Sequence, residues 1–244
     1  MKEAMIRQAN VGYLLGRAVD PADNVDLYYD GNMAVPLSRP CVSIVGFRGY
    51  VEGGAAEADE ISRDLGGSGI ITVRSPEFER DPAAYNTSIG NNSGMIIVGT
   101  SPVIDLVSSD PPQNGEYYVL AGREHLLVSP PDPGLDHVFP DHLGRTMAAI
   151  SDAVVVDVRD NPVLEGYARM AAGMGRRVFV RGAINTDGIR DNVVRLGDLQ
   201  AVARHAREAF EAGRAGRTVE SGPPPAYATF RYSIEPHGMG HTEL

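Results

Sequence analysis

Short runs of consecutive apolar residues, separated by amphipathic stretches, dominate the hydrophobic pattern of this chain. The runs predict strands at residues 27–29, 41–46, 69–74, 95–98, 125–129, 153–157 and 177–180, with a further apolar run at 117–120. The stretches between and after them predict helices near residues 54–66, 81–89, 101–109, 140–151, 162–174 and 198–213. Residues 1–18 predict one more amphipathic helix, whose apolar positions are Ala4, Ile6, Val11, Leu14 and Leu15.

The alternation of strands with helices predicts the fold class. Strands that are apolar on both faces are typical of a parallel sheet covered by helices on two sides. Such units connect with right-handed crossovers, so we expect an α/β, doubly wound, mostly parallel sheet of the Rossmann-like type. We predict a helix and strand packed on the core over residues 1–40, the Rossmann-like domain over 41–215, and an extended tail over 216–244.

The strand at residues 41–46 ends in the feature that bears most on function. Gly46 closes the strand, and Arg48 follows two positions later. Backbone N–H groups and a guanidinium at the carboxyl end of a strand favour a phosphate-bearing ligand. The alternative is that Gly46 only makes the turn and that Arg48 is a solvated charge. With 32 acidic against 22 basic side chains, any contact with a polyanion must be local.

Other features of the sequence exclude several classes of function. No apolar run reaches the roughly 18 residues of a membrane span, and the N-terminus is too polar for a secretory signal, so we expect a cytoplasmic protein. The single Cys41 opens a buried strand and is expected to be a packed thiol. Histidine spacing fits no zinc template, and neither a nucleophile elbow nor a P-loop occurs. We therefore predict no catalytic residue, metal or cofactor.

Several motifs, in order along the chain, resemble those of the DNA-processing protein A family (DprA, also called Smf). The matching segments are residues 27–32, 37–40, 42–48, 139–145, 150–156, 175–180 and 187–198. They are similar to the family's Tyr-x-x-Gly turn, Arg-Pro step, Gly-Ser-Arg strand end, Leu-Ser-Asp-Ala-Val strand and Gly-Arg-x-Val-Phe-x-Val strand. Any one motif is weak, but their order is specific.

The resemblance implies a Rossmann-like protein that binds single-stranded DNA during uptake or recombination, helps load a RecA-type recombinase and forms a homodimer. By the same resemblance, Gly46, Phe47, Arg48 and Arg145 contact backbone phosphates. An ion pair between Arg145 and Asp141, or another nearby acid, is an open alternative. Our predicted ligand-binding set also includes Arg74 and Ser75, at the end of the strand at 69–74.

Departures from the family pattern leave a second function open. Phe47 stands where the family has serine, and it either stacks on a base or packs internally. The family's glycine-rich loops are replaced at residues 74–81 and 161–166. The alternative is therefore a protein of the same fold that binds or hydrolyses a small nucleotide. Its candidate metal or general-base carboxylates are Glu77, Glu79 and Asp81, which are otherwise a solvated acidic loop. We expect binding rather than catalysis.

Overall fold

The computed structural model describes most of the sheet and the helices that cover it. The described residues are 3–15, 19–31, 38–47, 57–75, 94–99, 125–129, 141–159, 161–215 and 230–233. The helices predicted near residues 81–89 and 101–109, the apolar run at 117–120 and the acidic loop at 77–81 lie outside them.

Ten strands in the described residues form one sheet. They are β1 (Glu3–Asn10), β2 (Asp26–Gly31), β3 (Cys41–Val45), β4 (Ile71–Arg74), β5 (Met95–Val98), β6 (His125–Ser129), β7 (Ala153–Asp157), β8 (Arg177–Arg181), β9 (Val193–Arg195) and β10 (Phe230–Ser233). The described helices are α1 (Val11–Leu15), α2 (Glu57–Gly67), α3 (Asp141–Ile150), α4 (Pro162–Gly173) and α5 (Leu199–Ala215).

The strand order is β10-β1-β2-β6-β5-β4-β3-β7-β8-β9. The seven strands from β6 to β9 in this order pair in parallel, whereas β2, β1 and β10 add antiparallel strands beyond β6. From β3 the chain winds outward to β4, β5 and β6, and then returns to β7 on the other side. The boundary between β3 and β7 is therefore the topological switch point, where doubly wound folds bind their ligands.

The sheet carries a hydrophobic core on each face. On one face α1, α3 and α4 pack through buried side chains such as Leu14, Met147 and Tyr167. On the other face α2 and α5 pack through buried side chains such as Leu65 and Val202. Strands β3, β4, β5 and β7 are buried along their whole length, which confirms the doubly wound, mostly parallel sheet.

The N-terminal segment differs from its prediction. Residues 1–18 were expected to form one helix, but Glu3–Asn10 is a strand, and the helix that follows it is short, Val11–Leu15. Strand β1 pairs with β2 on one side and with β10 on the other, so its backbone bonds go to distant segments. Ala4 and Ile6 are two residues apart and fit a strand's period of two as well as a helical face. Tertiary pairing decided between the two patterns.

Part of the predicted C-terminal tail also belongs to the sheet. Phe230–Ser233 forms β10, which pairs antiparallel with Glu3–Ile6 of β1. Strands from all three predicted segments therefore lie in a single sheet, while the domain boundaries at residues 40 and 215 stay a prediction. Among the helices that the structure describes, none is long and apolar enough to span a membrane.

Candidate nucleic-acid interface

The backbone of Gly46 shapes the switch point between β3 and β7. Gly46 has φ +79°, a left-handed conformation that side chains rarely adopt. A Cβ atom built there would lie 2.6 Å from the carbonyl oxygen of Asp157 and would overlap the side chain of Leu164. The absence of a side chain thus lets the end of β3 approach the end of β7 and the first turn of α4.

Asp157 and Arg159 form a tight ion pair at the end of β7. The Asp157 side chain is 0% exposed, and its two oxygens accept three hydrogen bonds from one guanidinium. Arg159 Nε lies 2.9 Å from Oδ1, and Arg159 Nη2 lies 2.6 Å from Oδ2. The Arg159 backbone N–H also donates to Oδ1 at 3.2 Å. The guanidinium is therefore held from the protein side, while the Arg159 side chain remains 48% exposed.

The electrostatics of Asp157 follow from this pair. Burial by itself would raise the pKa of the Asp157 carboxyl, because the charged form loses its hydration. The hydrogen bonds from Arg159 and the charges of Arg159 and Arg181 outweigh burial and hold that pKa below its ordinary value. Asp157 is therefore a fixed anion at neutral pH, and its partner guanidinium keeps a fixed orientation.

Arg181, the last residue of β8, lies beside this pair. Its guanidinium carbon is 4.8 Å from the centre of the Phe47 ring, in a cation–π contact. It forms an ion pair with Glu57, the first residue of α2, and its Nη1 is 3.8 Å from Asp157 Oδ2. Two guanidinium groups and two carboxylates therefore meet at the ends of β7 and β8 and the start of α2. We call Glu57, Asp157, Arg159 and Arg181 the switch-point cluster.

Phe47 has a packing role in this arrangement. The ring is buried, belongs to the core beneath α2 and α5, and lies under the Arg181 guanidinium. Of the two roles considered for it, internal packing is the one that the structure shows. The aromatic ring supports an arginine and presents no exposed face to a base.

Arg74 and Ser75 are both buried where β4 ends. Arg74 Nη1 lies 2.9 Å from Asp59 Oδ1 on α2, and the Arg74 side chain is 1% exposed. A guanidinium in this position stabilises the packing of α2 against β4 and offers no surface to a phosphate. We therefore leave Arg74 and Ser75 out of the proposed contact set.

The first turn of α4 shows why the loop at residues 161–166 differs from a phosphate cradle. Asn161 caps the helix by accepting a hydrogen bond from the Val163 backbone N–H at 3.0 Å. Pro162 occupies the first helical position and has no N–H. The N–H groups that such a helix would offer to an anion are thus used or missing.

Arg145 lies on α3, and its side chain is 44% exposed. Its Nη1 is 3.2 Å from Oδ1 of Asp23, which belongs to the segment before β2. The open alternative of an ion pair is therefore realised with Asp23. The Asp23 side chain is only 9% exposed, so a phosphate would bind Arg145 beside this pair and not by displacing Asp23.

The predicted site residues lie at three separate places: Gly46 and Phe47 at the end of β3, Arg74 and Ser75 at the end of β4, and Arg145 on α3. Arg48 lies outside the described residues. Sequence reasoning missed all four members of the switch-point cluster. A signal was present, because Asp157 and Arg181 are polar residues that directly end buried strands, and the carboxyl ends of parallel strands share one edge. Glu57 had no such signal, since its partner lies 124 positions away.

Comparison with known proteins gives structural matches alone. No family model matches the sequence, and no curated protein does. A structure of DprA from Helicobacter pylori, described for its unique single-stranded DNA binding mode, matches with a TM-score of 0.52 at 16% identity, over 85% of this chain and 97% of that one. DprA from Streptococcus pneumoniae matches with a TM-score of 0.47 at 22% identity, over 73% of this chain and 66% of that one. The H. pylori match shows that this chain has the fold of a DprA protein and confirms the predicted fold class.

Proposed function

We propose that this chain is a DprA-like protein that binds single-stranded DNA through its backbone phosphates. The observation that carries the proposal is the exposed guanidinium of Arg159, fixed by buried Asp157 at the switch point of the sheet. A guanidinium that a buried carboxylate holds in place and that is about half exposed suits phosphate oxygens. The fold shared with H. pylori DprA, whose structure was described for its single-stranded DNA binding, supports DNA as the ligand.

The net charge of −10 sets the form that this binding takes. A protein with that charge repels a polyanion at long range, so affinity must come from few, close contacts. We infer that Arg159 supplies one such contact, and that Arg145 and Arg48 supply others. Within this proposal the protein acts in DNA uptake or recombination, in the cytoplasm, as a homodimer and alongside a RecA-type recombinase.

The alternative ligand, a small nucleotide, lacks support in the described residues. A mononucleotide site in this fold type relies on backbone N–H groups at a helix N-terminus. In this chain Asn161 and Pro162 remove those donors at α4, and the carboxylate of Glu57 stands at the start of α2. The donors that remain for a phosphate are side-chain guanidinium groups. Separate side chains favour a nucleic acid, whose phosphates repeat along its backbone, over a mononucleotide.

Fluorescence anisotropy of a labelled oligothymidylate, titrated at low and moderate salt, tests the proposal. We expect salt-sensitive binding by the wild type. Loss of one charge-assisted contact in Arg159→Ala should weaken binding about tenfold and lower the salt slope by about 0.7. Arg48→Ala and Arg145→Ala should act in the same direction.

Arg207→Ala is the matched control. Arg207 lies on α5, and its guanidinium donates to the carbonyl of Ser68, in the turn before β4 and therefore at the opposite edge of the sheet. The same loss of charge there should leave affinity nearly unchanged. Absence of wild-type binding at low salt would overturn the proposal, and equal effects of Arg159→Ala and Arg207→Ala would remove Arg159 from it.

A further inference from the structure

The two carboxylates of the switch-point cluster differ in their freedom to move. Asp157 is 0% exposed and ends a central strand, so its oxygens stay where the fold places them. Glu57 is 34% exposed and stands on the first residue of α2, where its side chain can rotate into solvent. The two residues carry the same charge, but only Glu57 can yield its place to another anion.

Two contacts keep the Arg181 guanidinium in place when the Glu57 side chain moves away. The Phe47 ring lies under its guanidinium at 4.8 Å, and Asp157 Oδ2 lies 3.8 Å from its Nη1. Both contacts come from buried residues. The Arg181 and Glu57 side chains are 31% and 34% exposed, so their ion pair lies at the protein surface.

Building on the proposed function, we infer that Glu57 competes with a ligand phosphate for Arg181, whereas Asp157 positions Arg159 to receive a neighbouring phosphate. Among the described residues, the switch-point cluster then has two positive and two negative groups before a ligand binds. A phosphate that enters replaces the Glu57 carboxylate on Arg181, and the Glu57 side chain moves to water. Glu57 thereby sets the affinity threshold, because a ligand has to supply enough phosphate contacts to displace it.

This inference predicts opposite effects from two substitutions that remove the same charge. Glu57→Gln frees Arg181, so oligothymidylate binding should tighten about fivefold and the salt slope should steepen by about 0.7, as for one added phosphate contact. Asp157→Asn releases Arg159 from its two-pronged bond, so binding should weaken about fivefold although the site becomes more positive. A generic charge effect would tighten binding in both variants.

Two further variants test the assignment to Arg181. Glu60→Gln removes an exposed carboxylate from the same turn of α2 and should change affinity by less than the Glu57 variant. In the double variant Glu57→Gln/Arg181→Ala, the gain in affinity should disappear. Glu57 is partly exposed, so its variant tests the competition even where Asp157→Asn folds poorly; thermal unfolding of each variant shows which are folded.

The outcomes separate this inference from the proposed function. If the wild type binds no oligothymidylate, the proposed function fails and the inference fails with it. If the wild type binds, but Glu57→Gln leaves affinity unchanged or matches Glu60→Gln, the competition is refuted and DNA binding stands. If folded Asp157→Asn tightens binding, the positioning role of Asp157 is refuted.

Discussion

Replacing Gly46 by alanine tests how closely the ends of β3 and β7 approach each other. The new Cβ would stand 2.6 Å from the Asp157 carbonyl oxygen, and it would overlap Leu164. The Leu164 side chain can rotate, but the carbonyl belongs to a buried central strand and cannot move alone. Gly46→Ala therefore requires either a strained contact or a shift of the strand end that carries Asp157.

Two terms contribute to the expected loss of stability. A side chain at φ +79° costs about 1–2 kcal/mol relative to glycine. Overpacking against the β7 backbone adds about 1–3 kcal/mol. The sum is about 2–5 kcal/mol, which for a chain of this length lowers the melting temperature by roughly 4–20 °C.

Comparing the urea unfolding of Gly46→Ala with that of Gly175→Ala separates the cost of overpacking from the cost of backbone strain. Gly175 follows α4 with φ +77°, and a Cβ there would meet nothing within 4 Å. The control thus has the same backbone strain without the close approach and should lose only about 1–2 kcal/mol. If the two variants lose the same free energy of unfolding, within about 0.5 kcal/mol, the close approach of β3 to β7 is refuted.

Two more predictions concern ion pairs in which one partner is buried. The lowered pKa of Asp157 means that its charge stabilises the fold above the ordinary value of 3.8, and that this contribution disappears as the pH falls below 3.8 through the lowered pKa. Chemical denaturation should give a difference in the free energy of unfolding of about 1–3 kcal/mol between wild type and Asp157→Asn. This difference should be constant from neutral pH to about pH 5 and shrink below about pH 4. A constant difference at every pH would contradict the lowered pKa. Asp59→Ala removes the carboxylate paired with buried Arg74 and should lower the free energy of unfolding by on the order of 3 kcal/mol. Oligothymidylate affinity should stay unchanged. A loss of affinity in the folded variant would return Arg74 to the site.

The central sheet was predictable because its strands carry a strong local signal. Residues 41–45, 71–74, 95–98 and 153–157 are runs of mainly apolar side chains, and each forms a buried strand. Burial on both faces requires that pattern whatever the partners are. The local pattern does not give the order of the strands in the sheet. Only the general rule that βαβ units connect by right-handed crossovers constrained that order.

The N-terminal strand was not predictable in this way. Half of residues 3–10 are apolar, and the pattern of these positions fits a helix as well as a strand. The backbone of β1 finds partners in β2 and in β10, and β10 lies more than two hundred positions along the chain. Hydrogen bonding over that separation leaves no trace in local periodicity.

The predicted arginines show a related limit. Arg74 was chosen because it ends a strand at the functional edge, which is also true of Arg181. Position along the strand therefore does not distinguish a buried structural arginine from an exposed one. The acid on α2 distinguishes them: Asp59 meets Arg74 within the core, whereas Glu57 meets Arg181 at the rim, where both side chains remain about one-third exposed.

Under the proposed function, the departures from the family's loops and the positions of the arginines have one explanation: side-chain guanidinium groups replace backbone N–H groups as the donors to phosphate. At α4 the cap by Asn161 and the proline at position 162 take away backbone N–H donors. On the neighbouring strand ends, Arg159 and Arg181 supply guanidinium donors that buried groups hold in place. Backbone donors suit one compact phosphate group at a helix terminus, whereas separate side chains suit phosphates spaced along a strand. Loss of the glycine-rich loops is therefore compatible with DNA binding, provided that the guanidinium groups carry the affinity, as Arg159→Ala tests.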